Sequence, residues 1–366
     1  MPKKILFFID SLVGGGKERR FLELIHYLKK HTNFQLKIIL TEDDIHYKYV
    51  YNLAAPITII KRRLFKKDPF LFFRFYKIAK EFNPDLIHAW GSMTTLYSIP
   101  PKIILKRPLV SNLIADSNKK FKNWSFSSLI FKINCYFSDI IISNSKAGIK
   151  AYNLSNHPRK IIIYNGVHLE RFELNIDKNK TRNEIQVNTP FIVIMVAKMS
   201  ENKDYDLFLD VAKLISNVRD DVTFIGVGNG PNFKKMQNRI INENIRNVKL
   251  TGFRNDVEEL IAISDIGVLF TYSEGISNSI IEYMASSKPV ITTDVIGGTR
   301  EILVNEKIGI IMERNVEQIA EMITQLLGDD NLRKSMGEKG KQIIEDKFNI
   351  DRMGKEYLKV YESYTN

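Results

Sequence analysis

The chain has 366 residues, 44% of them hydrophobic and 26% charged, with a formal net charge of +12. That length predicts two domains of ordinary globular composition. No apolar run approaches the roughly 18–20 residues that span a bilayer, no signal peptide precedes Asp10, and the one cysteine, Cys135, excludes an internal disulfide and fits a reducing, cytoplasmic setting.

The charge is unevenly placed. Residues 1–180 carry 31 Lys and Arg against 14 Asp and Glu, a net +17, while residues 181–366 carry 23 against 28, a net −5. Such asymmetry points to one half meeting an anionic surface. There is no Cys/His cluster for zinc.

In chain order, residues 4–9 predict a strand that enters a loop with Gly14, Gly15 and Gly16. A helix follows, burying Phe21, Leu22, Leu24, Ile25 and Leu28. Strand, glycine loop and helix open a nucleotide-binding unit, but the loop fits neither G-x-G-x-x-G nor a P-loop. It is a close backbone approach to a phosphate or a tight turn. Residues 35–40 and 57–60 predict further strands. Residues 61–82 hold eight Lys and Arg, two acids and seven aromatics. They are either a helix with a core face and a wet face, or a segment lying on an anionic membrane. Residues 119–137 share that character. Nucleic acid ranks lower, because no nucleic-acid motif accompanies the charge.

Residues 85–91 predict a strand ending at the ligand edge of a sheet. Its His88 is either a satisfied strand histidine or a sugar or acceptor contact. Residues 108–113 are the next strand, with Asp116 just beyond, and residues 139–143 another. Asn165-Gly166 marks a turn. Residues 173–189, polar and aperiodic, predict an interdomain linker.

A strand at 191–196 stops at Lys198 and Lys203, two cations suited to a diphosphate leaving group. Asp204-Tyr205-Asp206 spells the D-x-D of some metal-binding transferases, but it opens a helix, where acids favour the positive end of the dipole; no metal is expected. Residues 223–231 predict a strand, a loop with Gly228, and a helix start at Pro231. Residues 265–293 predict strand, polar loop, helix and strand. Ser277, Asn278 and Ser279 are good N-cap residues, so backbone N–H groups there face an anion. Glu274 precedes that helix and Glu282 lies within it; carboxylates accept hydrogen bonds from sugar hydroxyls. Phosphate beside hydroxyls is what a nucleotide-sugar presents. Residues 316–327, 332–347 and 351–364 predict amphipathic helices.

The run S-E-G-x(2)-N-S-x(2)-E-x-M-A-x(2)-K-P-V, within Thr271 to Thr293, resembles the signature of retaining family-4, group 1 glycosyltransferases of the GT-B fold. The likeness is dense over 191–364 and thinner before 165. It implies an α/β protein of two doubly wound Rossmann-like domains facing each other across a cleft. Residues 1–172 would bind the acceptor, with the helix at about 350–366 packing back onto them, and residues 190–349 the donor. Glu274 would contact the donor sugar and Glu282 the ribose. Lys203 matches the family's lysine, while Lys198 stands in for its arginine. Gly15, Gly16, Gly228, Gly275, Ile276, Ser277, Asn278 and Ser279 would line the donor. Trp90 replaces the second histidine of D-x-I/V-H-x-H, and the family's first-domain histidine is missing, with Asp116 as a substitute. The implied reaction is metal-independent, cofactor-free hexosyl transfer with retention. The donor is a UDP-sugar in preference to a GDP-sugar, and the acceptor is lipid-linked or a saccharide, at the inner face of the cell membrane. Sharing the architecture, an epimerase, a phosphorylase or a non-catalytic nucleotide-sugar-binding partner are the rival readings.

Overall fold

The computed structural model describes residues 2–62, 68–114, 125–295 and 297–365. The chain forms two compact units, one reaching Gly166 and resuming at Ile350, the other Val167–Asn349.

The first unit is built on a parallel sheet of seven strands: β1 (Lys4–Ile9), β2 (Gln35–Leu40), β3 (Ile57–Ile59), β4 (Leu86–Trp90), β5 (Leu109–Ile114), β6 (Ile140–Ser143) and β7 (Lys160–Ile162), in the order β3-β2-β1-β4-β5-β6-β7. Its central strands read as unbroken apolar runs because both faces are covered. Ile5, Phe7 and Ile9 face the helices Gly16–His31 and Ile350–Thr365, meeting Leu24, Leu28, Met353 and Tyr357. Leu6 and Phe8 point the other way, onto Leu71, Phe75 and Ala79 of the helix Phe70–Phe82.

The second unit repeats the plan with six parallel strands: β8 (Phe191–Val196), β9 (Val222–Val227), β10 (Val248–Gly252), β11 (Ile266–Leu269), β12 (Val290–Thr293) and β13 (Ile310–Met312). Their order is β10-β9-β8-β11-β12-β13. In both sheets the strand order therefore reverses once, between β1 and β4 and between β8 and β11, and crevices at the carboxyl ends of such strands are where doubly wound sheets bind ligands.

The linker expected at 173–189 is instead part of the second unit. Asp177 caps a helix, Lys178–Glu184, by accepting from the N–H groups of Asn179 and Lys180. Thr181 donates to Glu259, Arg182 to the carbonyls of Thr189 and Pro190, and Lys249 to that of Ile185. Within this helix only Thr181 is buried, so a one-residue inner face leaves no apolar period to read.

Candidate functional site

The reversal between β8 and β11 collects most of the predicted residues of the second unit. Residues 197–204 leave β8 and are stitched to residues 271–273 beyond β11. Asn202 is the hinge of that seam. Its carbonyl accepts from Thr271 Oγ1 (2.9 Å) and from the Tyr272 N–H (3.0 Å), and its side chain exchanges two hydrogen bonds with Ser273 (2.8 and 2.9 Å). The seam carries Lys203 to Glu274, and the ammonium touches the carboxylate. Both side chains are largely buried. Burial pulls the Lys203 ammonium down to about 7, and the adjoining carboxylate acts in the opposite sense.

Glu274 leads into the helix Asn278–Ala285, capped by the Ser277 hydroxyl, which accepts from the Ile280 N–H. Ser279 donates from Oγ to the Val196 carbonyl (2.5 Å), so its hydroxyl is spent on anchoring the helix to the end of β8. Tyr283 does the same from one turn on: its hydroxyl accepts from the Val196 N–H (2.6 Å) and donates to the Val268 carbonyl (3.3 Å). A Cβ at position 267 would lie 2.4 Å from the Tyr283 ring, which is why glycine stands there. Gly275 packs its carbonyl against Gly298, where an added Cβ would come within 2.6 Å. Ile276 is buried beneath the loop. Glu282 is buried too, and the Arg171 guanidinium lies 4.0 Å from its Oε1. Lys198 is exposed, two residues beyond the end of β8. Gly228, at φ +138°, lets the β9 loop lie on the backbone of Ala197, whose oxygen would be 2.1 Å from a Cβ. The D-x-D acids are engaged elsewhere: Asp204 caps the helix Tyr205–Ser216 and pairs with Arg314, and Asp206 pairs with Arg239 and Lys235. Among the described residues no group of three or more His, Cys, Asp and Glu is placed to hold a metal ion.

Residues 177–343 match the family described as glycosyl transferases group 1, and residues 14–171 match glycosyltransferase family 4. The chain is a group 1 glycosyltransferase. A Campylobacter jejuni relative is 27% identical over 97% of this chain and 99% of its own length: the N-acetylgalactosamine-N,N'-diacetylbacillosaminyl-diphospho-undecaprenol 4-alpha-N-acetylgalactosaminyltransferase. An Escherichia coli relative, UDP-Gal:alpha-D-GlcNAc-diphosphoundecaprenol alpha-1,3-galactosyltransferase, is 26% identical over 84% of this chain and 81% of its own. Among solved structures, Anabaena HepE in complex with UDP and glucose superposes with a TM-score of 0.86, covering 99% of this chain and 100% of that one at 21% identity. What the two structures share is the GT-B fold.

In the first unit of this glycosyltransferase the predicted residues fare differently. Gly15 and Gly16 do sit where β1 meets the helix Gly16–His31. The N–H groups of Gly14 and Gly15 are directed at His46 Nδ1 (3.1 Å) and Tyr47 Oη (3.2 Å). His88 does not reach a ligand edge. It is fully buried, with Nδ1 2.7 Å from the Tyr361 hydroxyl and Nε2 3.0 Å from Asn112 Oδ1, and Asn112 donates in turn to Tyr357 (2.7 Å). Trp90 donates to the same Nδ1 (3.3 Å). Burial pulls the ring down to about 3, so His88 is a neutral core residue that fastens the helix Ile350–Thr365 to the sheet. Asp116 lies outside the described residues. Cys135 is buried, its thiol pushed up to about 12 by that burial.

The glycosyltransferase also has groups that sequence patterns passed over. Asn202 and Tyr283 place the site without belonging to any motif, and Arg171 reaches Glu282 from a distant turn. An Asn between two motif lysines and a Tyr opposite a strand glycine were the available signals.

Proposed function

We propose that this glycosyltransferase moves a hexosyl group from a nucleoside-diphosphate sugar, UDP in preference to GDP, to a hydroxyl of a lipid-linked or saccharide acceptor, with retention and without a metal. The observation that carries this reading is the meeting of Lys203, Glu274 and the capped start of the helix Asn278–Ala285 at the strand reversal, with Glu282 one turn further on. UDP-Gal in the name of the Escherichia coli relative, and UDP in the HepE structure, favour that base. The diphospho-undecaprenol of two relatives favours a lipid-linked acceptor.

Glu282 accepts from the ribose hydroxyls and Glu274 from the donor sugar. The bond from C1 to the diphosphate breaks as the acceptor oxygen bonds to C1 on the same face, and the acceptor's proton passes to the departing phosphate oxygen. Lys203, Lys198 and the helix N–H groups stabilise the charge that develops there. Lysine at 198 supplies charge without the fork of an arginine.

The first unit supplies a surface for the inner face of the membrane. Phe70 and Phe73 are 60% and 70% exposed, Ile103 and Ile104 52% and 60%, and Phe126 and Leu129 59% and 53%. They stand on the helices Phe70–Phe82, Ile99–Ile104 and Phe126–Phe137, all on the sheet face opposite Gly16–His31. Exposed Lys77, Lys80, Lys106 and Lys132 lie among them. Aromatic and aliphatic tips with lysines between them suit an anionic bilayer. No helix among the described residues is long and apolar enough to cross one.

A thermal-shift panel of UDP, GDP, ADP and CMP with their sugars tests the donor, since ligand at 100 times its Kd stabilises by about 2.7 kcal/mol. Stabilisation by one nucleotide, reduced in Glu282→Ala, is the expected result; no response to any of them overturns the reading. Inversion at C1 of the product, or loss of turnover with EDTA, overturns retention or metal independence. Equal recovery in flotation with and without anionic lipid overturns the membrane surface.

A further inference from the structure

Arg171 ends the short turn Leu169–Arg171. It lies at the last residue matched to the family-4 region, yet it belongs to the second unit. Its Nη2 pairs directly with the Glu258 carboxylate and lies 4.0 Å from Glu282 Oε1. Glu258 sits in the first turn of the helix Val257–Ala262, and Glu282 in the helix Asn278–Ala285. The guanidinium therefore bridges two acids from two helices. It also lines an open cavity of about 630 Å³ with Leu174, Phe253, Arg254, Asp256 and Glu258.

The two contacts differ in kind. Glu258 holds the guanidinium directly. The 4.0 Å approach to Glu282 is beyond hydrogen-bonding range and acts through charge. A buried carboxylate is costly without a cation nearby, and two acids near each other need one between them. A guanidinium closed onto Glu282 would, however, compete with sugar hydroxyls for its oxygens.

We infer that Arg171 is a positioning residue for the ribose end of the donor: it keeps Glu282 aimed, while Glu258 holds it back from closing on that carboxylate. This rests on Glu282 being the ribose partner. Ribose hydroxyls then donate to Glu282 without any movement of the arginine.

Calorimetric titration of the full chain with UDP and with 2′,3′-dideoxy-UDP tests it. Arg171→Gln should weaken UDP about 10-fold and leave the dideoxy analogue within about 2-fold. Arg171→Lys should recover part of the loss. Glu258→Gln should weaken UDP as well, and the double variant should be no worse than Arg171→Gln alone, because the two residues act in series. Equal losses for both nucleotides would mean a general structural effect and would overturn the inference. Glu282→Gln separates the two levels. If it binds UDP as the wild type does, or if the wild type does not bind UDP, the ribose reading falls and takes this one with it. If Glu282→Gln weakens UDP while Arg171→Gln does not, the inference alone falls. Circular dichroism of each variant checks folding, and Arg171→Lys carries the test should Arg171→Gln not fold.

Discussion

Replacing His88 by Gln should change how the stability of the first unit responds to acid. The folded ring takes a proton only near pH 3, whereas the unfolded ring does so near 6.5. Between those values the unfolded state binds more protons, so stability falls as pH falls. The slope is at most about 1.4 kcal/mol per pH unit for one proton. Integrated from pH 7 to pH 4.5, His88 alone removes about 2–3 kcal/mol, and its slope fades above pH 7. In the variant this component is gone, while every other titrating group is retained. Of the two tryptophans, Trp90 is buried against His88. A Trp124→Phe background therefore leaves Trp90 as the single tryptophan, reporting on the first unit. Urea unfolding at pH 7, 5.5 and 4.5 should show the wild type losing about 2–3 kcal/mol more than His88→Gln between the ends of that range. Parallel pH dependences would refute the placement of a neutral histidine in this core.

Tyr283→Phe leaves the Val196 N–H without its 2.6 Å acceptor, which should cost about 1–3 kcal/mol; an unchanged Tm would show that the strut carries nothing. Gly228→Ala drives a Cβ to 2.1 Å from the Ala197 oxygen at a φ of +138°. It should lose about 1–3 kcal/mol and the nucleotide-induced thermal shift, whereas Gly328→Ala, with nothing within 4 Å, should lose neither. Glu274→Gln should lower kcat by about 100-fold while nucleotide affinity stays within about 3-fold; a matching loss of affinity in titration would assign Glu274 to ground-state binding instead.

The sheets were legible because their strands are continuous apolar runs between glycine-bearing loops, and parallel strands put the loops that follow them at one edge. Ser277 was legible as a cap by its residue type and its place before an apolar stripe. Other features were hidden for physical reasons. The helix Lys178–Glu184 has one buried residue, so periodicity could not find it, although Asp177 before a polar run is a capping signal. His88 stands in a motif that suggests chemistry, and only the packing of Tyr357 and Tyr361 from the far end of the chain makes it a core residue. The touch between Lys203 and Glu274 depends on the Asn202 seam, which no spacing rule encodes.

The helix Ile350–Thr365 gives the first unit a peculiar birth. Its residues close one face of a sheet whose strands were all made before Gly166. At Gly354 the helix backbone lies so near Tyr27 that an added Cβ would sit 2.2 Å from the ring. On the ribosome, the part of that face not covered by Gly16–His31 stays wet while the whole of Val167–Asn349 is translated, a delay of roughly 10–40 s at about 5–20 residues per second. The second unit is contiguous and free to fold during that interval, so the unit translated first is the one completed last.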